Sequence, residues 1–171
     1  MIAATGHRLD KLGGRNQEVF SRLLSLATVS IQKLEPTEII SGMALGWDTA
    51  VALAAIKLSI PLVAAVPFAQ QDAKWKQEDR ERWESILFQT KQIIYIDRLP
   101  EYAAKGVERD IYHPAKLQKR NEWMVDNCVQ ILALYDGSSS GGTFNCLEYA
   151  KQLNKPVFNV WNSWVKYSKV V

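Results

Sequence analysis

Short apolar runs alternate with amphipathic stretches along nearly the whole chain, and this alternation constrains the fold more than any other feature. The apolar runs lack the polar alternation of strands with one solvated face, so they are typical of parallel strands that are covered on both faces. The six runs that we interpret as strands are Ile2 to Thr5, Glu38 to Ser41, Leu62 to Val66, Gln92 to Ile96, Val129 to Tyr135 and Val157 to Trp161.

The stretches between these runs have the spacing of helices that bury one side. In Gln17 to Leu34, apolar residues recur every three or four positions and form one face. The other candidate helices are Thr49 to Leu58, Asp72 to Thr90, Lys116 to Asn127 and Phe144 to Leu153. Repeated β–α alternation predicts an α/β fold: a single Rossmann-like domain of three layers, α/β/α, around a mainly parallel, doubly wound sheet.

Length and charge limit the classes of protein to consider. At 171 residues and 47% hydrophobic, the chain is long enough for one well-buried domain and short for two. The net charge of +3 comes from scattered Lys and Arg, without the concentrated basic stripe of a nucleic-acid binder. We therefore do not expect nucleic acid to be the partner.

Composition also bears on compartment and metal binding. No apolar run approaches the roughly 20 residues that span a bilayer, and the first residues lack the pattern of a signal peptide. We expect a cytoplasmic protein without a membrane partner, in which Cys128 and Cys146 are buried, reduced thiols. With only these cysteines and two histidines, we expect no metal site.

The loops that follow the strands are the candidate binding segments. In a doubly wound sheet, ligands bind beyond the carboxyl ends of the strands, where the strand order reverses. This rule selects four loops, which are Thr5 to Arg8, Ser41 to Trp47, Pro67 to Gln71 and Asp136 to Thr143.

The last of these loops carries the strongest functional signal. A strand opens into a Gly/Ser loop, Asp136 to Gly142, and a helix follows. Glycines let the backbone approach a ligand, and unpaired N–H groups at a helix start attract anions. We expect Gly141, Gly142 and Thr143 to contact a phosphate, with Arg120 as a forked cationic partner. The alternative is an ordinary flexible turn.

The first loop, TGHR, directly follows the first predicted strand. Gly6 would allow a sharp turn, and Arg8 could reach a phosphate. His7 is either a ligand-binding residue or a turn histidine that bonds to the backbone. Arg8 could equally be a solvated surface residue.

The second loop, SGMALGWD, lies between a strand and an apolar helix. Ser41, Gly42 and Gly46 suit a tight turn that brings backbone amides to a ligand. Asp48 either caps the following helix or accepts ribose hydroxyl groups. The glycines do not match the dinucleotide fingerprint, and no Walker lysine follows them, so ordinary NTP hydrolysis is not expected.

The remaining segments offer aromatic rings and amides. Gln70 or Gln71 could read a base edge, and Trp75 could stack on a base or belong to the core. The irregular stretch from Asp97 to His113 is interpreted as a surface loop that could act as a lid. The aromatic tail from Trp161 to Tyr167 is either a self-association surface, which would make the protein a homo-oligomer, or packs on the last strand.

Five motifs in this order resemble the SLOG superfamily, the Rossmann-like group that contains LOG-type "lysine decarboxylase-like" phosphoribohydrolases and the DNA-processing protein A family. They are similar above all to its YpsA-like branch, found in bacteria and phages. The motifs are TGHR at Thr5, SGMALGWD at Ser41, PF with Gln71 and Trp75, RNEWMVD at Arg120 and YDG…GGT at Tyr135. The resemblance implies a nucleotide-type ligand at the carboxyl edge of the sheet.

The same resemblance raises the question of catalysis. LOG-type enzymes cleave the N-glycosidic bond of nucleoside 5′-monophosphates with an Arg-Lys pair and P-G-G-x-G-T-x-E-E. Arg120 matches the arginine, whereas Asn121 stands at the lysine position and Asn145 at the catalytic glutamate. An amide cannot act as a general base. Glu148 lies one helical turn further on and could substitute only if the helix began later.

Three functions remain open from the sequence, and single-stranded nucleic-acid binding, similar to that of DNA-processing proteins, is the least favoured because the net charge is modest. The first is a nucleotide-binding or sensing domain, in which the helix start at Thr143 binds phosphate, Asp48 holds ribose, and Trp75 or Trp47 offers a ring to the base. The second is a hydrolase of a nucleoside monophosphate or NAD-like substrate, in which Arg120 orients the phosphoribosyl group and Asp48 or Glu148 activates water. In either case the small-molecule nucleotide is the partner, and no further cofactor is expected.

Overall fold

The computed structural model describes residues 1–168, with side chains described as far as residue 166. Its strands form one six-stranded sheet in the order β4-β3-β2-β1-β5-β6, and every strand pairing in the described chain is parallel. The strands are β1 (Ile2–Gly6), β2 (Ile39–Ser41), β3 (Leu62–Val66), β4 (Gln92–Tyr95), β5 (Gln130–Leu134) and β6 (Val157–Asn159). The predicted doubly wound α/β fold is confirmed.

Helices connect the strands in alternation. They are α1 (Gln17–Leu34), α2 (Trp47–Lys57), α3 (Gln77–Phe88), α4 (Pro114–Asp126), α5 (Gly142–Gln152) and α6 (Trp161–Ser168). Single 3-10 turns follow β1 at Leu9–Lys11 and β4 at Ile96–Arg98. Within residues 1–168, no helix is both long and apolar enough to cross a membrane.

The sheet is covered on both faces, and successive strand residues enter two separate cores. Ile39 packs into the core that α1, α2, α3 and α6 share with the sheet, whereas its neighbour Ile40 packs into the core under α4 and α5. The same alternation separates Leu132 from Ile131 on β5. The central strands β1, β2, β3 and β5 are almost entirely buried, as their continuous apolar sequence indicated, whereas the edge strands β4 and β6 are partly exposed.

Two helix boundaries differ from the sequence prediction in ways that matter for the site. Helix α3 begins at Gln77 rather than Asp72, because residues 72–76 form a turn in which the Trp75 N–H donates to the Asp72 carbonyl at 2.8 Å. Trp75 therefore precedes the helix. Helix α5 begins at Gly142, two residues before the predicted Phe144.

The described segment after β6 turns back onto the first helix. Asn159 ends β6, because its Oδ1 accepts hydrogen bonds from the backbone N–H groups of Trp161 and Tyr135, both at 3.1 Å. Trp161 then starts α6 instead of ending the strand, and Trp164 is buried beneath Arg22 of α1, 4.5 Å from the guanidinium to the ring centre. The tail thus packs on the fold up to Trp164, while the Tyr167 side chain lies outside the described residues.

Candidate functional site

The strand order reverses at β1, which lies between β2 and β5. Three loops meet at the carboxyl ends of these strands. The backbone N–H of His7 donates to the Leu134 carbonyl at 3.1 Å, and the His7 carbonyl accepts from the Trp47 N–H at 3.2 Å. The loop after β1 is therefore joined by backbone hydrogen bonds to β5 on one side and to the start of α2 on the other.

Helix α5 starts at this point without a side-chain cap. Gly141 precedes it as the N-cap residue with φ at 102°, and a glycine has no side chain to accept from the first turn. From α4, the Asn121 Nδ2 donates to the Gly142 carbonyl at 3.2 Å and fixes the position of the glycines. The helix start consequently presents backbone N–H groups and a positive dipole end to any ligand beside it.

His7 ties the β1 loop to the Gly/Ser loop. Its Nε2 lies 2.9 Å from Oδ1 of Asp136 and 3.1 Å from the Asp136 backbone nitrogen. The Ser138 backbone N–H also donates to Oδ1 of Asp136 at 2.9 Å, and this hydrogen bond is the main reason that the pKa of Asp136 is lowered. Asp136 thus shapes the loop through His7 and Ser138.

Arg120 reaches from α4 across the site and is 8% exposed. Its Nε donates to Oδ1 of Asn121 at 3.0 Å, and its Nη1 donates to the Gly42 carbonyl and lies 4.0 Å from Oδ2 of Asp48. Burial lowers the pKa of Arg120 and the Asp48 carboxylate opposes this shift, but a guanidinium remains charged at neutral pH.

Asp48 lies in the first turn of α2 and is buried. Desolvation raises the pKa of Asp48 to about 6, although the Arg120 guanidinium and the Ala44 backbone N–H, 3.4 Å away, favour its charged form. A carboxyl group with this pKa exists in both protonation states near neutral pH, so it can accept hydrogen bonds or exchange a proton.

Side chains donate hydrogen bonds to the backbone of the second predicted loop and of the helix start after it. The Ser41 hydroxyl donates to the Asp48 carbonyl at 2.9 Å, and Nε2 of Gln71 donates to the carbonyls of Gly42 and Met43 at 3.4 and 3.2 Å. A Cβ atom on Gly42 would collide with the Arg120 guanidinium. One on Gly46 would lie 2.6 Å from the His7 carbonyl oxygen. Ser41, Gly42, Gly46 and Gln71 therefore shape the loop and its contact with Arg120.

A polar cavity of about 260 Å³ lies between the three loops. It brings together nine residues that the sequence singled out: Gly6, His7, Arg8, Asp48, Arg120, Asn121, Gly141, Gly142 and Thr143. Thr5, Ala44 and Ser140, which lie within the predicted binding loops, also line it, and so do three residues that sequence reasoning missed, Asp10, Lys11 and Leu117. Lys11 lies in the 3-10 turn after β1, and such a short turn has no clear periodic pattern in the sequence.

An aromatic cavity of about 470 Å³ adjoins the polar one. The two cavities share Arg8, Ala44, Leu117 and Arg120. The aromatic cavity is otherwise lined by Phe68, Gln70, Gln71, Ala73, Lys74, Trp75, Asp110, Ile111 and Tyr112. The third predicted loop and the segment from 97 to 113 thus contribute to the same edge of the sheet.

Several residues of the sequence prediction lie elsewhere. Ser41, Gly42 and Gly46 support the site without lining either cavity, and neither Asn145 nor Glu148 is part of either lining. Because α5 begins earlier than predicted, the condition under which Glu148 could replace the catalytic glutamate is not met.

Trp47 cannot offer a ring face to a base, because it is fully buried. Its Nε1 donates to the Leu132 carbonyl at 3.4 Å, which places the indole in the core beneath β1 and β5.

A doubly wound parallel sheet with an uncapped helix start at its switch point defines a Rossmann-like α/β protein. Comparison with known proteins narrows this class. The family model described as the YspA SLOG family matches residues 5–161, and the chain belongs to this family.

Individual relatives agree with this assignment. The chain is 37% identical over 136 residues to the SPbeta prophage-derived protein YoqJ of Bacillus subtilis (strain 168), covering 77% of this chain and 79% of that protein. DNA processing protein A from Streptococcus pneumoniae has a similar fold, with a TM-score of 0.62 and 16% identity over 92% of this chain and 49% of that one.

DNA processing protein A from Helicobacter pylori, which binds single-stranded DNA, also has a TM-score of 0.62, with 18% identity over 92% of this chain and 63% of that one. The chain thus spans about half to under two thirds of these solved proteins. At these identities the likeness concerns the fold alone.

Proposed function

We propose that this protein binds a nucleotide-type small molecule whose phosphate lies at the start of α5, and that it serves as a binding or sensing domain. The observation that carries the proposal is the convergence of the uncapped α5 start with Arg8, Lys11 and Arg120 on one cavity. Unpaired backbone N–H groups, a helix dipole and guanidinium groups all favour a phosphate.

The charge balance of the polar cavity supports an anionic ligand. Its cations are Arg8, Lys11 and Arg120, and its carboxylates are Asp10 and Asp48. Arg120 is already engaged by Gly42 and Asp48, whereas Arg8 is exposed and forms no ion pair with another residue of the described chain. Arg8 can therefore turn to an incoming phosphate at little cost, and Asp48 is the proposed acceptor for a sugar hydroxyl group.

Hydrolysis of a nucleotide N-glycosidic bond is the second candidate. The observation that favours it is Asp48, whose pKa of about 6 suits proton transfer near neutral pH in the same cavity. Arg120 would orient the phosphoribosyl group and Asp48 would activate water. Against this candidate, Asn145 occupies the glutamate position and lines neither cavity.

A thermal-shift screen tests the binding proposal with AMP, ADP, ADP-ribose, NAD, cyclic nucleotides and inorganic phosphate. A ligand at about 100 times its Kd stabilises the folded state by about 2.7 kcal/mol. We expect a nucleotide to raise the Tm of the native protein and of Lys151→Ala, a variant on the last turn of α5. The rise should be lost in Arg8→Ala and Arg120→Ala. Arg8 is exposed, so Arg8→Ala is expected to retain the fold even if Arg120→Ala, which removes a buried side chain, unfolds.

No shift with any nucleotide or with phosphate would overturn the proposal. A shift with a single-stranded oligonucleotide alone, weakening steeply as salt rises, would assign the site to nucleic acid instead. For the second candidate, overnight incubation with AMP or NAD should release free base in the native protein and not in Asp48→Asn. Equal release by both proteins would remove Asp48 from the mechanism.

A further inference from the structure

The aromatic cavity has a lining that the phosphate site does not require. It adjoins the polar cavity at Arg8 and Arg120, and it is the larger of the two, at about 470 Å³ against about 260 Å³. Rings of Phe68, Trp75 and Tyr112 line it. A ligand whose phosphate occupies the polar cavity therefore has an apolar space next to it.

Two apolar side chains on the rim of this cavity are unusually exposed. Ile111 is 52% exposed and Tyr112 is 58% exposed, although both line the cavity. The Tyr112 ring meets Phe68 edge-on, with ring centres 6.1 Å apart and planes at 73°. Adjacent apolar residues that are left open beside a pocket are typical of a surface that a ligand covers.

The segment that carries these residues is fixed by buried polar contacts. The Asp110 backbone N–H donates to Oδ2 of Asp97 at 2.9 Å, and Oδ1 of Asp110 accepts from the Ala69 N–H at 3.3 Å. The same Asp97 oxygen accepts from Nζ of Lys116 at 3.0 Å, and both side chains are 2% exposed. Ile111 and Tyr112 are therefore held on the rim before any ligand arrives, which reduces the entropic cost of binding.

We propose that the aromatic cavity is a base-binding subsite, and that Tyr112 determines specificity by stacking on the base of the nucleotide. This inference rests on the proposed function. A phosphate at the start of α5 and a sugar beside Asp48 direct the base past Arg8 and Arg120 towards Tyr112. Gln70 and Lys74 supply polar groups for the edge of the base. The ligand class is thus a nucleotide with an aromatic base, and a bare sugar phosphate lacks the contacts with the aromatic cavity.

Titration calorimetry with AMP and ribose 5-phosphate tests the subsite. We expect AMP to bind at least about 5-fold more tightly, because stacking on one aromatic side chain contributes about 1–3 kcal/mol. Tyr112→Ala should weaken AMP binding about 5- to 100-fold and leave ribose 5-phosphate unchanged. Tyr112→Phe should retain AMP affinity, and so should Phe88→Ala, which removes an aromatic side chain that is 93% exposed and lines neither cavity.

The outcomes separate this inference from the proposed function. Equal affinities for the two ligands, or equal weakening of both by Tyr112→Ala, would overturn the base subsite and leave the phosphate site intact. If neither ligand binds, the proposed function fails and the subsite fails with it. Because Tyr112 lies on an exposed rim, its variants are expected to keep the native Tm within about 2 °C.

Discussion

Nη1 of Arg120 lies 4.0 Å from Oδ2 of Asp48, and both side chains are buried at the carboxyl edge of the sheet. Burial disfavours the charged form of each group, and the opposite charge of the neighbour compensates only in part. The pair therefore places a carboxyl group that titrates near neutral pH next to a guanidinium that is already engaged by the Gly42 carbonyl.

The raised pKa of Asp48 predicts a specific pH dependence of stability. Because the folded-state pKa of about 6 lies above the ordinary value of 3.8, the native state binds the proton more tightly than the unfolded state. The contribution of Asp48 to the free energy of unfolding is therefore greatest below the ordinary pKa and falls as the pH rises through about 6. Relative to Asp48→Asn, the native protein should lose about 2 kcal/mol between about pH 4.5 and about pH 7.5.

Urea denaturation of both proteins at several pH values provides the measurement. Subtracting the Asp48→Asn curve removes the other titrating groups that the two proteins share. If the free energies of unfolding of the two proteins changed in parallel across this pH range, the pKa of Asp48 would be close to its ordinary value.

The sheet and its switch point could be predicted from the sequence because parallel strands buried on both faces leave a clear signal. Ile39 and Ile40 must both be apolar when one packs under α1 and α2 and the other under α4 and α5. The glycines and arginines of the polar cavity could be predicted for a related reason. Gly6, Arg8 and Gly141 lie at or after the carboxyl ends of strands, so the topology brings them to one edge. Arg120 instead lies on α4, the helix that leads into β5.

The aromatic cavity could not be read from the sequence in the same way. Tyr112 reaches Phe68 through an irregular segment, which is held by the buried Asp97–Lys116 pair and the Asp110 hydrogen bonds. Such long-range polar contacts leave no periodic pattern. The start of α5 was predicted two residues late for a similar reason, because the carbonyl of Gly142, its first residue, accepts from Asn121 of another helix.

Gly6→Ala is expected to damage the fold. A Cβ atom at this position would lie 2.5 Å from Cδ1 of Trp47, and the indole is fully buried and cannot move aside. Overpacking of this kind costs about 1–3 kcal/mol, so the urea midpoint should fall markedly. An unchanged midpoint would mean that Trp47 can repack.

Gly142→Ala, in contrast to Gly6→Ala, is expected to impair ligand binding without destabilising the fold. A Cβ atom on Gly142 meets no other atom within 4 Å, and alanine favours a helix over glycine by about 1 kcal/mol. The Tm should therefore hold or rise, while a methyl group at the proposed phosphate position weakens nucleotide binding at least about 10-fold. Calorimetry beside a thermal melt separates the two effects, and unimpaired binding would place the phosphate away from the α5 start.

Lys116→Met is expected to be among the most destabilising single changes in the chain. It removes the cation that lies 3.0 Å from Oδ2 of Asp97, while no donor in the described chain reaches the buried Oδ1. An uncompensated buried carboxylate costs about 3–5 kcal/mol. The double variant Lys116→Met/Asp97→Asn should be more stable than Lys116→Met alone at neutral pH, because the amide carries no charge to leave unpaired. Urea denaturation of the native protein, of Lys116→Met, of Asp97→Asn and of the double variant completes this double-mutant cycle. A loss below about 1 kcal/mol for Lys116→Met would show that the pair contributes little to the fold.

Hydrogen exchange in residues 97–113 should accelerate in Lys116→Met. The Asp97 carboxylate that loses its cation in this variant also accepts from the Asp110 N–H, and Asp110 lies on the segment that forms the rim of the aromatic cavity.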